Sequence, residues 1–226
     1  MSDWLATVPR DLPQLLKGAT VTFRLLAVGL VCGSAIGLAT ALVRTYGPGW
    51  LRASTNGFVE LFRGTPLVVQ MFLIYFGLPD AGITLPAMLT AYIALSLNSG
   101  AYQSDYFRGA IQAVGHGQMM AARAIGMDRL SAIAYVILPQ TLRLVIPAWG
   151  TEPVTLIKVS AVAFVLGLPD IMGQAKIIAS RTFQALPTYF TVTLLYFVLV
   201  YALTSLFGYV ERRVRIPGFD MSVVAH

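Results

Sequence analysis

With 226 residues, 57% of them hydrophobic and 12% charged, and a mean hydropathy of +0.72, the chain is not an ordinary soluble domain, where charged residues make up about 25%. The formal charge of +6 comes without a dense Lys/Arg run, so basic loops at a membrane explain it better than nucleic-acid binding. One cysteine, Cys32, excludes a disulfide framework and a cysteine-based metal centre within one chain.

The opening stretch MSDWLATVPRDLPQLLKG lacks a basic start, an apolar core and a small-residue cleavage site, so no signal peptide is expected. A helical span needs about 20 mostly apolar residues, and no charge occurs from Leu25 to Val43, which predicts the first span. Arg24 lies at its edge, where its long stem reaches the headgroups. The YGPGW turn then ends the helix. In VELFRGTPLVVQMFLIYFGLPD, Thr65 reads as an N-cap and Pro66 as the first helical residue of a short second span reaching Pro79. A third span runs through ITLPAMLTAYIALSLNSGAY, uncharged from Ala81 to Ser104. Asn98, Ser99 and Gly100 sit late in it, and such residues favour helix contact or a polar cavity over lipid.

Between the third and fourth spans, GQMMAARAIGMDRLSAIAYVILPQ (Gly117 to Gln140) is compact and partly charged. It predicts a helix from Gln118 to Ile125, ended at Gly126 where a left-handed cap is easy. Asp128 reads as the N-cap of a second helix through Ile137, stopped by Pro139. Ala121 and Ala122 leave a shallow face that another protein could approach, with Arg123 and Arg129 as charged anchors. An interfacial hairpin lying on lipid is the other reading.

The fourth span, LVIPAWGTEPVTLIKVSAVAFVLGL, carries Glu152 and Lys158, and a charge in lipid costs about 2.5–3.5 kcal/mol on insertion scales. Pro147, Gly150 and Pro153 predict a bent or unwound helix around Glu152, tolerated where it lines a cavity or the protein interior. Thr151, Thr155 and Lys158 share one helical face, with Glu152 beside them. Glu152 and Lys158 do not face each other. They are candidates for meeting substrate, or alternatively for pairing with a partner subunit; substrate is the preferred reading for Glu152 and structure for Lys158. In LPDIMGQAKIIASRTFQALP, the spacing of Ile171, Ala175 and Ile178 predicts a short surface helix bearing Lys176 and Arg181. The fifth span, FQALPTYFTVTLLYFVLVYALTSLFGYV, has no charge between Arg181 and Glu211. Arg44, Arg52 and Arg63, then Arg108, Arg123, Arg129 and Arg143, then Arg212, Arg213 and Arg215 fall on one side of a five-span chain. That bias predicts an outside N-terminus, an inside C-terminus and a cytoplasmic insert. The odd span number argues against a self-contained inverted repeat, so half of a pathway is expected. The only histidines, His116 and His226, lie outside the spans, which excludes bis-His haem and intramembrane His-metal chemistry.

The order Ala-Ala, three residues, Gly, nine residues, Val-Ile-Leu-Pro resembles the cytoplasmic Glu-Ala-Ala loop of ABC-type import permeases. ELFRGTPLVVQMFLIYFGLP, IALSLNSGAY, YFRGAIQAVGHGQ, AARAIGM, LPQTLR, IASRTF and VERR resemble its polar amino-acid branch, in order, from Gly18 to Pro217. The resemblance implies an all-α membrane protein of about five transmembrane helices. It forms one permease domain over 1–226, with a cytoplasmic coupling loop over 115–140, in a bacterial inner membrane. It implies a transporter of two permease subunits (this chain twice or with a homologue), two ATPases and an extracytoplasmic solute-binding protein docked on the Lys176–Arg181 surface, with a polar amino acid as substrate. It carries ATPase coupling onto Gln118, Ala121, Ala122, Arg123, Gly126 and Met127. Glu152, Thr151, Thr155 and Asn98 are the expected substrate-binding residues, and no cofactor or metal is expected. The loop's usual Glu is Met120 here and its usual Ile is Val136. In the fourth span Thr151 replaces an Asn, Val159 an acidic residue, and Pro153 is added. No Gly-Lys pair occurs, so a phosphate-binding P-loop is absent and ATP hydrolysis is expected on a separate subunit.

Overall fold

The computed structural model describes residues 4–114 and 116–214, with the backbone alone for 4–7 and 116. Gly115, Arg215 and His226, used above for the loop boundary, the basic tail and the histidine count, lie outside the described residues.

The first helix, α1, is far longer than the uncharged run: it spans Trp4–Tyr46, passing through Pro9 and Pro13. At 1.5 Å per residue it is about 65 Å long, twice the hydrocarbon thickness of about 30 Å. Arg10 and Lys17 therefore sit on the helix itself and do not precede it. A tight turn at Gly47, whose N–H donates to the Val43 carbonyl at 2.8 Å, leads into α2 (Gly49–Gly64).

α2 and the next helix, α3 (Leu67–Phe72), meet at 106°. Pro66 forces the preceding residue away from helical geometry, and Thr65 is extended at φ −118°, ψ 142°. Thr65 thus closes α2 instead of capping α3, correcting the expected N-cap. Its hydroxyl donates to the Leu61 carbonyl and receives the Gln70 amide. α3 continues as a π turn (Leu73–Gly77) and a 3-10 turn (Leu78–Ala81).

α4 (Ala87–Val114) is the central helix. It packs parallel along α1, Gly29 meeting Leu95 and Gly37 meeting Gln103, and glycines set how closely. A Cβ added at Gly33 would lie 2.9 Å from the Gln103 amide and the Ser99 hydroxyl, and one at Gly37 would lie 3.0 Å from the Ser104 backbone nitrogen. Gly29, Gly33 and Gly37 recur every four residues, the small-residue pattern that lets membrane helices touch. Gly37→Ala should therefore destabilise the fold by about 1–3 kcal/mol, the range for overpacking, and denaturant unfolding in detergent should register that loss.

The remaining helices complete the bundle. α5 is His116–Ala124, and α6 (Arg129–Ala132) continues as a π turn (Ile133–Ile137) straight into α7 (Leu138–Leu144). Pro139 was expected to stop this helix. It does not, because the widened π turn before it absorbs the missing N–H and the ring. α8 (Ile146–Trp149) and α9 (Glu152–Val159) are the two parts of the fourth span, and a 3-10 segment (Ser160–Leu166) extends the second. The expected bend is only a loosened turn, since Gly150 and Thr151 keep right-handed helical backbone and Ile146–Leu166 runs as one span. α10 is Ile171–Thr182 and α11 is Ala185–Val214.

The main core joins Leu25 and Leu26 of α1, Met71 of α3, Ala94 and Leu95 of α4, and Leu156 and Ile157 of α9. A second core seats Ile171, Ala175 and Ile178 of α10 against Leu15 and Ala19 of α1. Ala41, Phe107, Ile111, Ile137 and Val145 close the opposite end. Among the described residues three helical segments are long and apolar enough to cross a membrane, or up to four with the bent α2–α3 pair. By length and composition, five spans are thus not confirmed. α4, the expected third span, falls short because it is an interior helix with buried Ser99, Gln103 and Ser104, and an interior helix has no need of a lipid-like composition. α11 shows the converse, with Phe197, Val198 and Tyr201 exposed as lipid-facing side chains.

Candidate functional site

The break between α2 and α3 leaves the last carbonyls of α2 without helical partners. Two amides take them. Gln70 Nε2 donates to the Phe62 and Thr65 carbonyls at 2.8 and 3.0 Å, and Asn98 Nδ2 donates to the Phe62 carbonyl at 3.0 Å and Gln70 Oε1 at 3.1 Å. This clamp holds the α2–α3 elbow open against α4. Beside it lies a cavity of about 540 Å³ lined by Arg63, Thr65, Asn98, Tyr102, Tyr106, Glu152 and Thr155 among others.

Glu152 is the cavity's carboxylate. It stands at the first turn of α9, after the loosened turn at Gly150 and Thr151, and is 3% exposed. The Ser99 hydroxyl donates to its Oε1 at 2.6 Å, and the Tyr106 hydroxyl lies nearby. Across the cavity, Arg63 forms an ion pair with Asp105 and lies over the Tyr102 ring, 5.2 Å from its centroid. Asp105 in turn receives Arg44 at 2.7 Å. The cavity thus presents a buried anion and a cation held by its own counter-ion, separated by phenols and an amide.

Of the four expected substrate residues, Glu152, Asn98 and Thr155 line this cavity. Thr151 does not: it is exposed, and its hydroxyl donates to the Ala148 carbonyl at 2.8 Å. Thr151, Thr155 and Lys158 share one exposed face, as the helical spacing predicts. Lys158 has no ion-pair partner among the described residues. Sequence reasoning missed Arg63, Tyr102 and Tyr106 as cavity residues. The signal was available, since Asn98, Tyr102 and Tyr106 follow one another every four residues down one face of α4.

The α5–α6 loop is the second candidate surface. Gly126 adopts φ +90°, and the Met127 and Gly126 N–H groups return to the Ala122 and Arg123 carbonyls, both at 3.1 Å. This is the paired hydrogen bonding of a glycine-terminated helix end. Asp128 caps α6 through the Leu130 and Ser131 N–H groups. Gln118, Ala121, Arg123 and Gly126 are exposed, as are Met120, Ile125 and Leu130, while Met127 is half-buried. Ala122 is buried, at 4% exposure, so the expected two-alanine face presents Ala121 alone. Arg129, expected as an anchor for a partner, is taken within the chain: it donates to the Tyr46 carbonyl at 3.0 Å and lies over the Tyr46 ring.

Hydrogen bonding to Ser131 holds the Asp128 carboxyl below its ordinary value of 3.8. A depressed carboxyl contributes stability above the unfolded value and loses it as pH falls through the folded one. The Leu130 and Ser131 amides should therefore lose protection against deuterium exchange, relative to their intrinsic rates, below about pH 3.8. Asp128→Asn, a comparable cap, should remove that acid dependence.

Residues 33–216 match the family described as Binding-protein-dependent transport system inner membrane component. The chain is 35% identical over 217 residues to the glutamine transport system permease protein of Escherichia coli K12, covering 95% of this chain and 98% of that one. It is 36% identical over 217 residues to the arginine transport system permease protein of Bacillus subtilis 168, covering 94% and 97%. A crystal structure of an amino acid ABC transporter with histidines superposes with a TM-score of 0.84 at 36% identity, over 93% of this chain and 98% of that one. The inward-facing MetNI methionine ABC transporter shares the fold, with a TM-score of 0.70 at 20% identity over 91% and 96%. A broken-helix cavity in an all-helical apolar bundle, with these matches along almost the whole chain, places the protein in the binding-protein-dependent transport system inner membrane component family, as a multi-pass membrane permease and not an enzyme.

Proposed function

We propose that this chain is the membrane subunit of an ATP-driven importer of polar amino acids and forms half of its pathway by alternating access. The observation that carries the reading is the α2–α4–α9 cavity, where the buried Glu152 carboxylate faces Asn98, Tyr102, Tyr106 and Arg63. A carboxylate at that depth suits the ammonium or guanidinium of an amino acid, and Arg63 supplies the opposite charge for a zwitterion. The glutamine and arginine in the relatives' names support the same class.

Lys158, Thr155 and Thr151 form an exposed polar face in the middle of an apolar span. Such a face is expensive in lipid, which supports a second permease subunit, a copy of this chain or a homologue, across a shared pathway. The absence of a Gly-Lys pair supports ATP hydrolysis on a separate ATPase. Its docking surface is the exposed part of the α5–α6 loop, with Gln118, Ala121, Arg123 and Gly126. The basic bias of that end of the bundle supports a cytoplasmic position for it, with the N-terminus outside. α10, carrying exposed Lys176 and Arg181, then faces an extracytoplasmic solute-binding protein.

Reconstitution tests the reading. Proteoliposomes containing this chain with an ATPase and a binding protein should take up L-arginine or L-glutamine only with ATP. Uptake by the chain alone along a sodium or proton gradient would make it a secondary transporter instead.

A further inference from the structure

The fourth span is loosened between Trp149 and Glu152, and both residues flanking that turn are tied to α4 one turn apart. Trp149 Nε1 donates to Gln103 Oε1 at 2.7 Å, Gln103 Nε2 donates to Ser99 Oγ at 2.8 Å, and Ser99 Oγ donates to Glu152 Oε1 at 2.6 Å. Ser34 Oγ lies 2.7 Å from the same Gln103 oxygen and also accepts from Trp149 Nε1, at the longer distance of 3.1 Å. Gln103 and Ser99 are 0% and 1% exposed, so neither exchanges these partners for water.

The direction of the row from Trp149 to Glu152 is set at its indole end. An indole N–H only donates, so the Gln103 oxygen must face Trp149 and its amide nitrogen must face Ser99. Ser99 accepts that amide and therefore has its own proton left for the carboxylate. All three donors point toward Glu152. Bonds aligned head to tail strengthen one another in a low-dielectric interior, and the charge on Glu152 anchors the end of the row.

We infer that Trp149, Gln103, Ser99 and Glu152 form a directional latch across the Gly150–Thr151 turn, through which occupancy of the cavity is conveyed to α8. The inference rests on the reading of the cavity as an amino-acid site. A cationic group that takes the Glu152 charge weakens the Ser99 bond first, then the polarised row behind it, and loosens Trp149 from Gln103, leaving it on Ser34. α8 follows α7 after the single residue Val145, and α7 is continuous with α6, so motion of α8 reaches the α5–α6 loop along one helical stretch. The coupling is reciprocal: displacement of that loop changes affinity at Glu152. Gln103 lies outside the cavity lining and is a positioning residue.

The sequence has three tryptophans. With Trp4→Phe and Trp50→Phe, Trp149 becomes the sole indole of the full chain in lipid nanodiscs. Titration with L-arginine should give a saturable change in its emission, with the same midpoint as binding of radiolabelled L-arginine by equilibrium dialysis. Gln103→Met, which keeps the volume and removes both hydrogen-bonding groups, should bind L-arginine within about threefold of the parent yet lose the emission change. An emission change that survives in Gln103→Met overturns the latch, as does arginine binding that leaves the parent's emission unchanged. No arginine binding by the parent overturns the cavity reading and the latch together. Because Gln103→Met can fail to assemble, a second measurement uses the unsubstituted chain. L-Arginine should accelerate deuterium exchange at the Gly150 and Thr151 amides more than in α10, and equal exchange with and without arginine overturns the latch.

Discussion

Glu152→Gln should weaken binding of L-arginine by roughly 10- to 100-fold while leaving assembly intact. A hydrogen bond to a charged group is worth about 1.5–3 kcal/mol, and each 1.4 kcal/mol is about tenfold in affinity. Glutamine has the volume of glutamate and keeps an oxygen for the Ser99 hydroxyl, now 2.6 Å from Oε1. The local packing around α9 therefore survives and only the charge is removed. Equilibrium dialysis with L-arginine reads the affinity, ATP-driven uptake reads the consequence, and co-purification with the ATPase shows that assembly is unaffected. Uptake kinetics equal to the parent's would remove Glu152 from the pathway.

Glu152 was legible because a carboxylate inside an apolar run, flanked by Pro147, Gly150 and Pro153, has few bland explanations. The turn that loosens the span lies where those residues put it, at Gly150 and Thr151, but it does not bend the helix sharply. The partners of Glu152 were far less legible. Ser99, Gln103 and Tyr106 lie on α4, some fifty positions away in the chain, and spacing along one helix does not say which face of another it meets. Asn98 shows the same limit: its amide was ambiguous between contact and cavity, and in the structure it serves both by bonding the Phe62 carbonyl beside the cavity. The length of α1 was hidden by Pro9, Pro13, Arg10 and Lys17. Each reads as a boundary locally, yet none outweighs the packing of Leu15 and Ala19 against α10. Pro139 misled for a related reason, since a π turn is a backbone adjustment that composition does not announce.

The division of the α5–α6 loop into an outward and an inward face separates two kinds of lesion, and Gly126→Val should be the more severe. At φ +90°, with nothing within 4 Å of an added Cβ, the position is constrained by its backbone and not by space. A β-branched residue held there costs about 1–3 kcal/mol. The chain will escape by abandoning the turn, breaking the Met127 and Gly126 bonds to Ala122 and Arg123. At about 1.4 kcal/mol per decade, the population of loops with α5 correctly aimed falls roughly 5- to 150-fold. ATP-driven uptake should fall with it, while L-arginine binding and basal ATP hydrolysis persist. Ala122→Glu should act in the same way, because it drives a carboxylate into a position only 4% exposed and displaces α5 from within. Ala121→Glu differs: the side chain points outward, so deuterium exchange across the loop should match the parent while uptake is lost. Normal coupling in both Gly126→Val and Ala121→Glu would show that the ATPase docks elsewhere. Loss in Gly126→Val with normal coupling in Ala121→Glu would mean that the loop transmits force through its inward face alone.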